Sequence, residues 1–536
     1  MPTGAPTGFQ RAQHFHGRRF AMRAYSQATA YLKYLLAVMP TSSTETQCEF
    51  LVIGSGPSGV AAAAAVLDAG RTVAMLDIAD DLSAAARTRI AGLAQQEPDT
   101  WQAVDRRWMQ DAADVRAVPL KNLFGETFMY DQRNELPRGF DQWPSRALGG
   151  LSRVWGATLK RLDASGFADW PVTGAEMAPH YAAVEALLGD IGPPMSGEAG
   201  RLLREWQSRA GELNGLGARV MPSALAVARD CKRCGMCLTG CPYGYIFSTD
   251  HLIERYRNHP RFRFYPGLAV RHMVEREGRI ELLAEAHDGL LHRYAAGRVF
   301  VAAGPLATAR LMLASFGQPG EELVLRDSQY FLLPFFSSRR AGGEDAHVLS
   351  QLFLQFLHQG APIHAQLYGH NAHYGPAIAA RLGLLGQVVR PLTSWLGRHL
   401  VVAQGYLPSE LSGTAHLSLA QDALRIVPRP SSLTRPALRG VGEALARIGR
   451  LAKLRTLPAL LEQTGIGRGY HSGATLPMTK RPIGWQTDTL GRARGLERVH
   501  VVDASVWPNI PSGPVTLTTM ANAHRIASDA ARLDIP

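Results

Sequence analysis

Apolar residues along this chain bunch into short runs broken by glycine, and the first such pattern is the most regular. Phe50 to Ile53 is an unbroken apolar run, short enough for a buried strand. Gly54-Ser55-Gly56-Pro57-Ser58-Gly59 follows as a turn. Val60 to Ala69 is alanine-rich and predicts a helix, and Arg71 to Leu76 predicts a second strand. The same order returns in 297–315, where an apolar strand meets Gly304-Pro305 and then a helix. Further along, 328–338, 348–360 and 392–407 predict sheet strands with covering helices. No stretch approaches the ~18 uncharged apolar residues of a membrane-crossing helix.

The first unit has the chemistry of a dinucleotide cradle. In a G-x-G-x-x-G turn, Gly54 permits the tight bend and Gly56 leaves room for a pyrophosphate. Gly59 lets the helix sit close on the strand. The helix N-terminus offers free N–H groups and the positive end of its dipole to the phosphates. Asp77 closes the second strand, where an acid bonds ribose hydroxyls. This unit alone does not separate FAD from NAD.

Composition narrows the class. The chain has 536 residues, 46% apolar and 19% charged, which suits a globular protein with a sizeable core and two or more compact units. The net charge of +12 comes from arginines scattered along the chain rather than massed, and no nucleic-acid motif accompanies them. An acidic substrate or an anionic membrane surface stays open. Residues 1–46 read as a basic leader, amphipathic or disordered. Arg18-Arg19 gives it some likeness to a twin-arginine export signal, but no small-x-small cleavage site stands out. Cytoplasmic location is the expectation, with export as the alternative.

Four of the five cysteines fall in "CKRCGMCLTGCP", residues 231–242. Cys231, Cys234, Cys237 and Cys241-Pro242 have the C-x2-C-x2-C-x3-C-P spacing of bacterial ferredoxins. Three readings compete: an iron–sulfur cluster, zinc, or plain thiols and local disulfides. Zinc is the weakest, because so short a segment leaves little room for two separated binding loops.

Three further stretches carry a resemblance to a family. "SRALGGLSRVWGATL" (145–159) is similar to the Gly-Gly-x-Ser-x-x-Trp-Gly segment of glucose–methanol–choline (GMC) oxidoreductases. "GYHSGATLPM" (469–478) resembles that family's His-x-x-Gly/Ala-Thr-x-x-Met stretch, with His471, Thr475 and Met478 at matching offsets. "GLERVHVVDASVWPNIPSGPVTLTTMANAHRIASDA" (495–530) resembles its closing strand, proline-rich loop and helix. The resemblance implies that FAD fills the cradle. Gly149, Gly150, Ser152, Trp155 and Gly156 would lie along it, Gly304 would sit in the returning strand's turn, and Asp503, Pro514 and Val515 would complete the flavin side. It also implies oxidation of a CH–OH group, with His471 taking the hydroxyl proton and hydride passing to flavin N5. Imidazole's ordinary pKa of ~6.5 suits that task.

The implied fold is α/β. A Rossmann-like FAD-binding domain is expected from 47–160, 225–326 and 468–536. An α+β substrate domain with an antiparallel sheet is expected from 161–224 and 327–467. The implied substrate is a small alcohol, a sugar or a glycosylated metabolite, with an electron-acceptor protein as a further partner. Some relatives carry a cluster beside the flavin, whose cysteine spacing matches Cys231, Cys237 and Cys241 better than Cys234. The sequence departs from the family at Pro514, where a second catalytic Asn or His is usual. Proline has no side-chain donor or acceptor. Either a residue of the middle region fills the role, or the chemistry is altered, as in an FAD-containing lyase. "HAQLYGHNAHYG" (364–375) offers His364, Gln366, Tyr368, His370, Asn371 and His373, with no sign of which face points inward.

Overall fold

The structure, a computed structural model, describes residues 41–110, 123, 124, 126, 131, 136–339, 349–370, 374, 378, 379, 383, 390–421 and 423–533. Residues 1–40 of the expected leader therefore lie outside the described residues, as do Asn371 and His373. Residues 41–46 belong to the first strand, Thr41–Ile53, because Glu45 to Gln47 already pair with Arg293 to Ala295.

The first sheet runs in the order Phe262–Pro266, Val73–Asp77, Thr41–Ile53, Leu291–Val301, Arg279–Ala286 and Leu268–Arg276. The first four strands are parallel, and Val499–Val501 adds a fifth parallel strand beside Val299 to Val301. Leu291–Val301 is long enough to serve two neighbours. Its first half pairs antiparallel with Arg279–Ala286 and its second half takes Val499–Val501. The nucleotide-type core thus gathers chain segments that are far apart in sequence. Central strands buried on both faces are expected to be continuously apolar, and Phe50, Leu51, Val52, Val299, Phe300 and Val301 are. One side is covered by the helix Pro57–Asp68, and the helix Thr516–Arg532 lies on it. Ala61 to Ala65 are buried there, and small side chains let the helices approach closely.

The second large sheet has the order Leu454–Arg455, Tyr330–Ser337, Leu400–Tyr406, Ala361–Tyr368, Leu352–His358 and Ala218–Pro222. It is antiparallel, so side chains alternate between its faces. Phe331, Leu333, Phe335, Leu354, Phe356, Ile363, Ala365, Leu367, Val401 and Ala403 point to one side, into a core shared with the helices Gly197–Gln207 and Thr434–Leu451. The opposite face carries Tyr330, Tyr406, His364, Gln366 and Tyr368.

A smaller antiparallel sheet, Ala423–Arg429, Thr414–Ala420, Glu322–Asp327 and Ser472–Gly473, ties the middle of the chain to its C-terminal part. The helix Gly174–Leu187, expected in the substrate domain, packs instead on the nucleotide-type core. Its Met177, Tyr181 and Val184 are buried there, and the Tyr181 and Thr518 hydroxyls lie 2.6 Å apart. Among the described residues no helix is long and apolar enough to cross a membrane.

Trp206 is the anchor of the second core. It is 1% exposed, and its indole N–H donates to the Ile448 carbonyl at 2.9 Å. Replacing it with alanine leaves a large cavity and an unpaired carbonyl. Urea titration of Trp206→Ala should show a loss of about 3–5 kcal/mol, with the antiparallel unit unfolding first.

Candidate active site

The glycines of the cradle each answer to a different neighbour. Gly54 has φ +104°, and a Cβ there would lie 2.5 Å from the Ala302 carbonyl oxygen. A Cβ on Gly59 would lie 1.9 Å from the Gly54 carbonyl oxygen, so helix and strand touch through bare backbone. Gly56 differs: nothing lies within 4 Å of a Cβ built there. The helix it caps receives no side-chain hydrogen bond at its N-terminus and has no acid in its first turn. Open space before an uncapped helix end is the arrangement that accepts a phosphate. Asp77 braces the turn, accepting from the Ser55 amide and, at 2.7 Å, from the Ala79 amide. Burial raises its pKa, against these hydrogen bonds.

The segment after residue 145 lies over this turn. A Cβ on Gly150 would be 3.2 Å from Gly56 Cα, and the Gly149 amide donates to Ser55 Oγ at 2.8 Å. Ser152 is 2% exposed, and its hydroxyl donates to the Gly149 carbonyl at 2.6 Å while accepting from the Thr249 amide at 3.0 Å. Thr249 closes the network with a bond to the Ser55 carbonyl at 2.9 Å. Trp155 donates its indole N–H to the Phe247 carbonyl at 2.8 Å. The hydroxyl of Tyr368 would be 3.6 Å from a Cβ on Gly156, so here the nucleotide part meets the polar face of the antiparallel sheet.

The C-terminal segment borders the same space. Asp503 accepts from the Gly304 amide at 2.9 Å, from the Ser505 amide at 2.9 Å, and from the Thr308 hydroxyl. That set pins the positive-φ turn at Gly304 to the strand end. Pro514 and Val515 are buried and lead into the helix Thr516–Arg532, whose N-terminus also lacks a side-chain cap.

His471 stands between the two parts. Its ring stacks on Tyr406, with centroids 4.2 Å apart and planes at 21°. The residue is half-buried, and Nδ1 is buried with no hydrogen-bond partner. Burial pulls its pKa down to about 4, so the imidazole is neutral at physiological pH. Its backbone is fixed by the Ser328 amide, which donates to the His471 carbonyl at 2.9 Å.

Strand pairing sets His364, Tyr406 and Tyr330 side by side across three strands. His364 is 1% exposed, both its ring nitrogens lack partners, and burial lowers its pKa to about 3. Gln366 accepts from the Tyr368 hydroxyl at 3.0 Å and from Thr158 at 3.4 Å. Gln404 donates to the Tyr406 hydroxyl at 2.8 Å. His370 stands apart, with its Nδ1 2.8 Å from the Gly397 carbonyl. Sequence reasoning missed Tyr406, Tyr330 and Asp327. The alternation in 400–406 could have placed Gln404 and Tyr406 on one face, but nothing marked which face.

The cysteine loop does not form the expected ligand set. Cys231 and Cys237 pack toward the nucleotide-type core, whereas Cys234 packs with Leu82, Trp101 and Met236 in a separate cluster. All four are free thiols, and burial pushes Cys234 up to about 11 and raises Cys231 and Cys241. Metal ligation needs thiolates. Among the described residues no group of three or more His, Cys, Asp or Glu is placed to hold a metal ion. The iron–sulfur expectation for Cys231, Cys237 and Cys241, and for Cys234, is therefore unsupported among the described residues.

Residues 409–523 match the family model described as GMC oxidoreductase. No curated protein matches the sequence. Among solved structures, pyridoxine 4-oxidase from Mesorbium loti is similar in fold, with a TM-score of 0.63 and 17% identity over 90% of this chain and 99% of that one.

Asp327, paired across the strands with Ser472 next to His471, is fully buried. The Gly467 and Ser328 amides approach its carboxyl, but neither oxygen completes a hydrogen bond. Burial raises its pKa from 3.8 to about 7. The folded state therefore holds a proton that the unfolded chain has released. The stabilising contribution is full below pH 3.8 and is lost as pH rises through about 7. Asp327→Asn should flatten that decline, read as Tm against pH. A variant with the wild-type profile across this window would refute the assignment.

Proposed function

We propose that this chain, whose residues 409–523 match the GMC oxidoreductase family model, binds FAD in the Gly54–Gly59 cradle and oxidises the CH–OH group of an alcohol to a carbonyl. The observation that carries this reading is the placement of His471. It is a neutral imidazole of a half-buried residue, stacked on Tyr406 of the polar sheet face.

The residues present fit FAD. Gly56 leaves the pyrophosphate's place open, the Pro57–Asp68 helix directs unclaimed N–H groups at it, and Gly149 and Gly150 flank it. Trp155, Gly156, Pro514 and Val515 would border the flavin. Bound FAD would supply the acceptor for the hydride leaving the alcohol carbon. His471 takes the hydroxyl proton, so the carbon–oxygen double bond forms as C–H and O–H bonds break. A pKa near 4 leaves the ring unprotonated and ready to accept across the neutral range, at some cost in driving force. Tyr406, stacked beneath, holds the plane of the ring.

The substrate is read as a small alcohol, a sugar or a glycosylated metabolite, and the similarity to pyridoxine 4-oxidase adds an alcohol borne on an aromatic ring. Pro514 favours a second reading, an FAD-containing lyase, because it supplies no second polar group beside His471. Anaerobic addition of candidate alcohols distinguishes them. An alcohol oxidoreductase bleaches its flavin, while a lyase consumes substrate with the flavin still oxidised.

Two variants test the assignments. Gly56→Leu has room for its Cβ and an ordinary φ of −66°, so it should fold with unchanged circular dichroism yet purify colourless. Retained yellow colour would count against the cradle. His471→Ala should keep its flavin and lose about 10²–10⁴-fold in anaerobic flavin reduction, the range for removing a general base. An undiminished rate would remove His471 from the mechanism.

A further inference from the structure

Pro514 leaves a gap in the chemistry of the site. Negative charge grows on the alcohol oxygen as His471 draws off its proton, and a hydrogen-bond donor aimed at that oxygen lowers the barrier. Proline has no side-chain donor to offer.

Four side chains of the polar sheet face carry a suitable donor. Tyr368 already gives its hydroxyl proton to Gln366, at 3.0 Å. His364 sets its ring edge-on to Phe353, with centroids 4.7 Å apart, on the strand away from Tyr406. Tyr330 has a buried hydroxyl without a partner, but its ring packs on Tyr406, at 5.5 Å, and not on the imidazole. Tyr406 is the one of the four whose ring lies against His471, at 4.2 Å. Its hydroxyl oxygen accepts from the Gln404 amide at 2.8 Å, and no acceptor among the described residues takes its own proton. Accepting that bond fixes the oxygen and polarises the remaining O–H. It also directs the hydroxyl to the Gln404 row of the sheet. Gln404 is in register with Gln366, whose Oε1 accepts from Thr158 at 3.4 Å, in the loop that would border the flavin.

We propose that Tyr406 is a catalytic residue: its O–H donates to the alcohol oxygen whose proton His471 takes, supplying the polar group that Pro514 lacks. This deepens the alcohol-oxidation reading and rests on it. Two hydrogen bonds of ~2.8 Å to one oxygen set their outer atoms roughly 4–5 Å apart, the scale of the Tyr406–His471 stack. The alcohol's O–H proton passes to His471 and its C–H leaves as hydride to bound FAD. The carbon–oxygen double bond forms, and Tyr406 keeps its proton throughout. Burial raises the phenol's pKa, so it stays a donor.

Tyr406→Phe keeps the stacked ring and removes only the oxygen. Flavin content and Tm should be retained. Anaerobic flavin reduction, by whichever of benzyl alcohol, glycerol and glucose bleaches the wild type fastest, should fall about 10²-fold. A second readout needs no turnover. Benzaldehyde bound to the oxidised, FAD-loaded protein should show a lower carbonyl stretch in the wild type than in Tyr406→Phe, by infrared difference spectroscopy. It should also bind the wild type about three- to tenfold more tightly. An undiminished reduction rate in Tyr406→Phe overturns the proposal. So does a slower rate with the aldehyde's stretch and affinity unchanged, because the tyrosine would then only hold the imidazole. If no alcohol bleaches the wild type, the oxidation reading falls. The aldehyde still decides whether Tyr406 bonds a ligand oxygen, and equal stretches in the two proteins overturn that.

Discussion

Two residues of antiparallel pairing hold the site together. Arg326 and Asp327 pair with Gly473 and Ser472, and the next amide, that of Ser328, donates to the His471 carbonyl at 2.9 Å. This joins the C-terminal segment, which adds a strand to the nucleotide-type sheet, to the strand that turns into the antiparallel sheet at Tyr330. Because Tyr330 is in register with Tyr406, the same few bonds determine which ring lies under the imidazole. A slip of one residue would turn each of these side chains to the opposite face. The position of His471 is thus a consequence of sheet register, set in the backbone rather than by side-chain hydrogen bonds.

The electrostatics follow from the same burial. Packing the polar sheet face against the nucleotide loops removes water from His471, His364, Tyr330 and Asp327 together. Each responds by keeping its uncharged form. Several of their polar atoms have no protein partner. Natural proteins carry few such atoms, and a concentration of them calls for a specific explanation. A substrate hydroxyl and its neighbours would satisfy them, which makes the incomplete hydrogen bonding of this face an argument for a ligand site.

Legibility in the sequence followed how tightly chemistry restricts each residue. The cradle could be read because two of its glycines, Gly54 and Gly59, are dictated by close backbone contacts that a side chain would break. The α/β architecture and the antiparallel second sheet were readable from apolar runs and the family resemblance. The floor of the site was not. His364, Gln366 and Tyr368 alternate as a strand should, but both faces of that strand are largely buried, so alternation could not say which one meets the cofactor side. Asp327 carried no signal in the sequence, and only strand pairing sets it opposite Ser472, the residue after His471. Residues 41–46, the first part of the strand Thr41–Ile53, replaced the expected end of the leader, because polar residues can pair with a neighbouring strand without an apolar signature.

The cysteine loop shows the converse limit. Its spacing is that of a cluster-binding run, yet spacing fixes only how far apart ligands are along the chain. Ligation also requires that the side chains converge and that the thiols lose their protons. In this structure Gly235 and Gly240, both at positive φ, shape the turns of the loop. They send Cys234 to one apolar cluster and Cys237 to another. Desolvation then raises the thiol pKa values instead of lowering them. Tyr243 and Tyr245 stack 5.3 Å apart, and Trp101 stacks on Tyr243 at 5.7 Å, with Lys232 over the Tyr243 ring. The loop is thus organised by apolar and aromatic packing. Cysteine, a small hydrophobe when protonated, serves that packing as readily as it serves a metal.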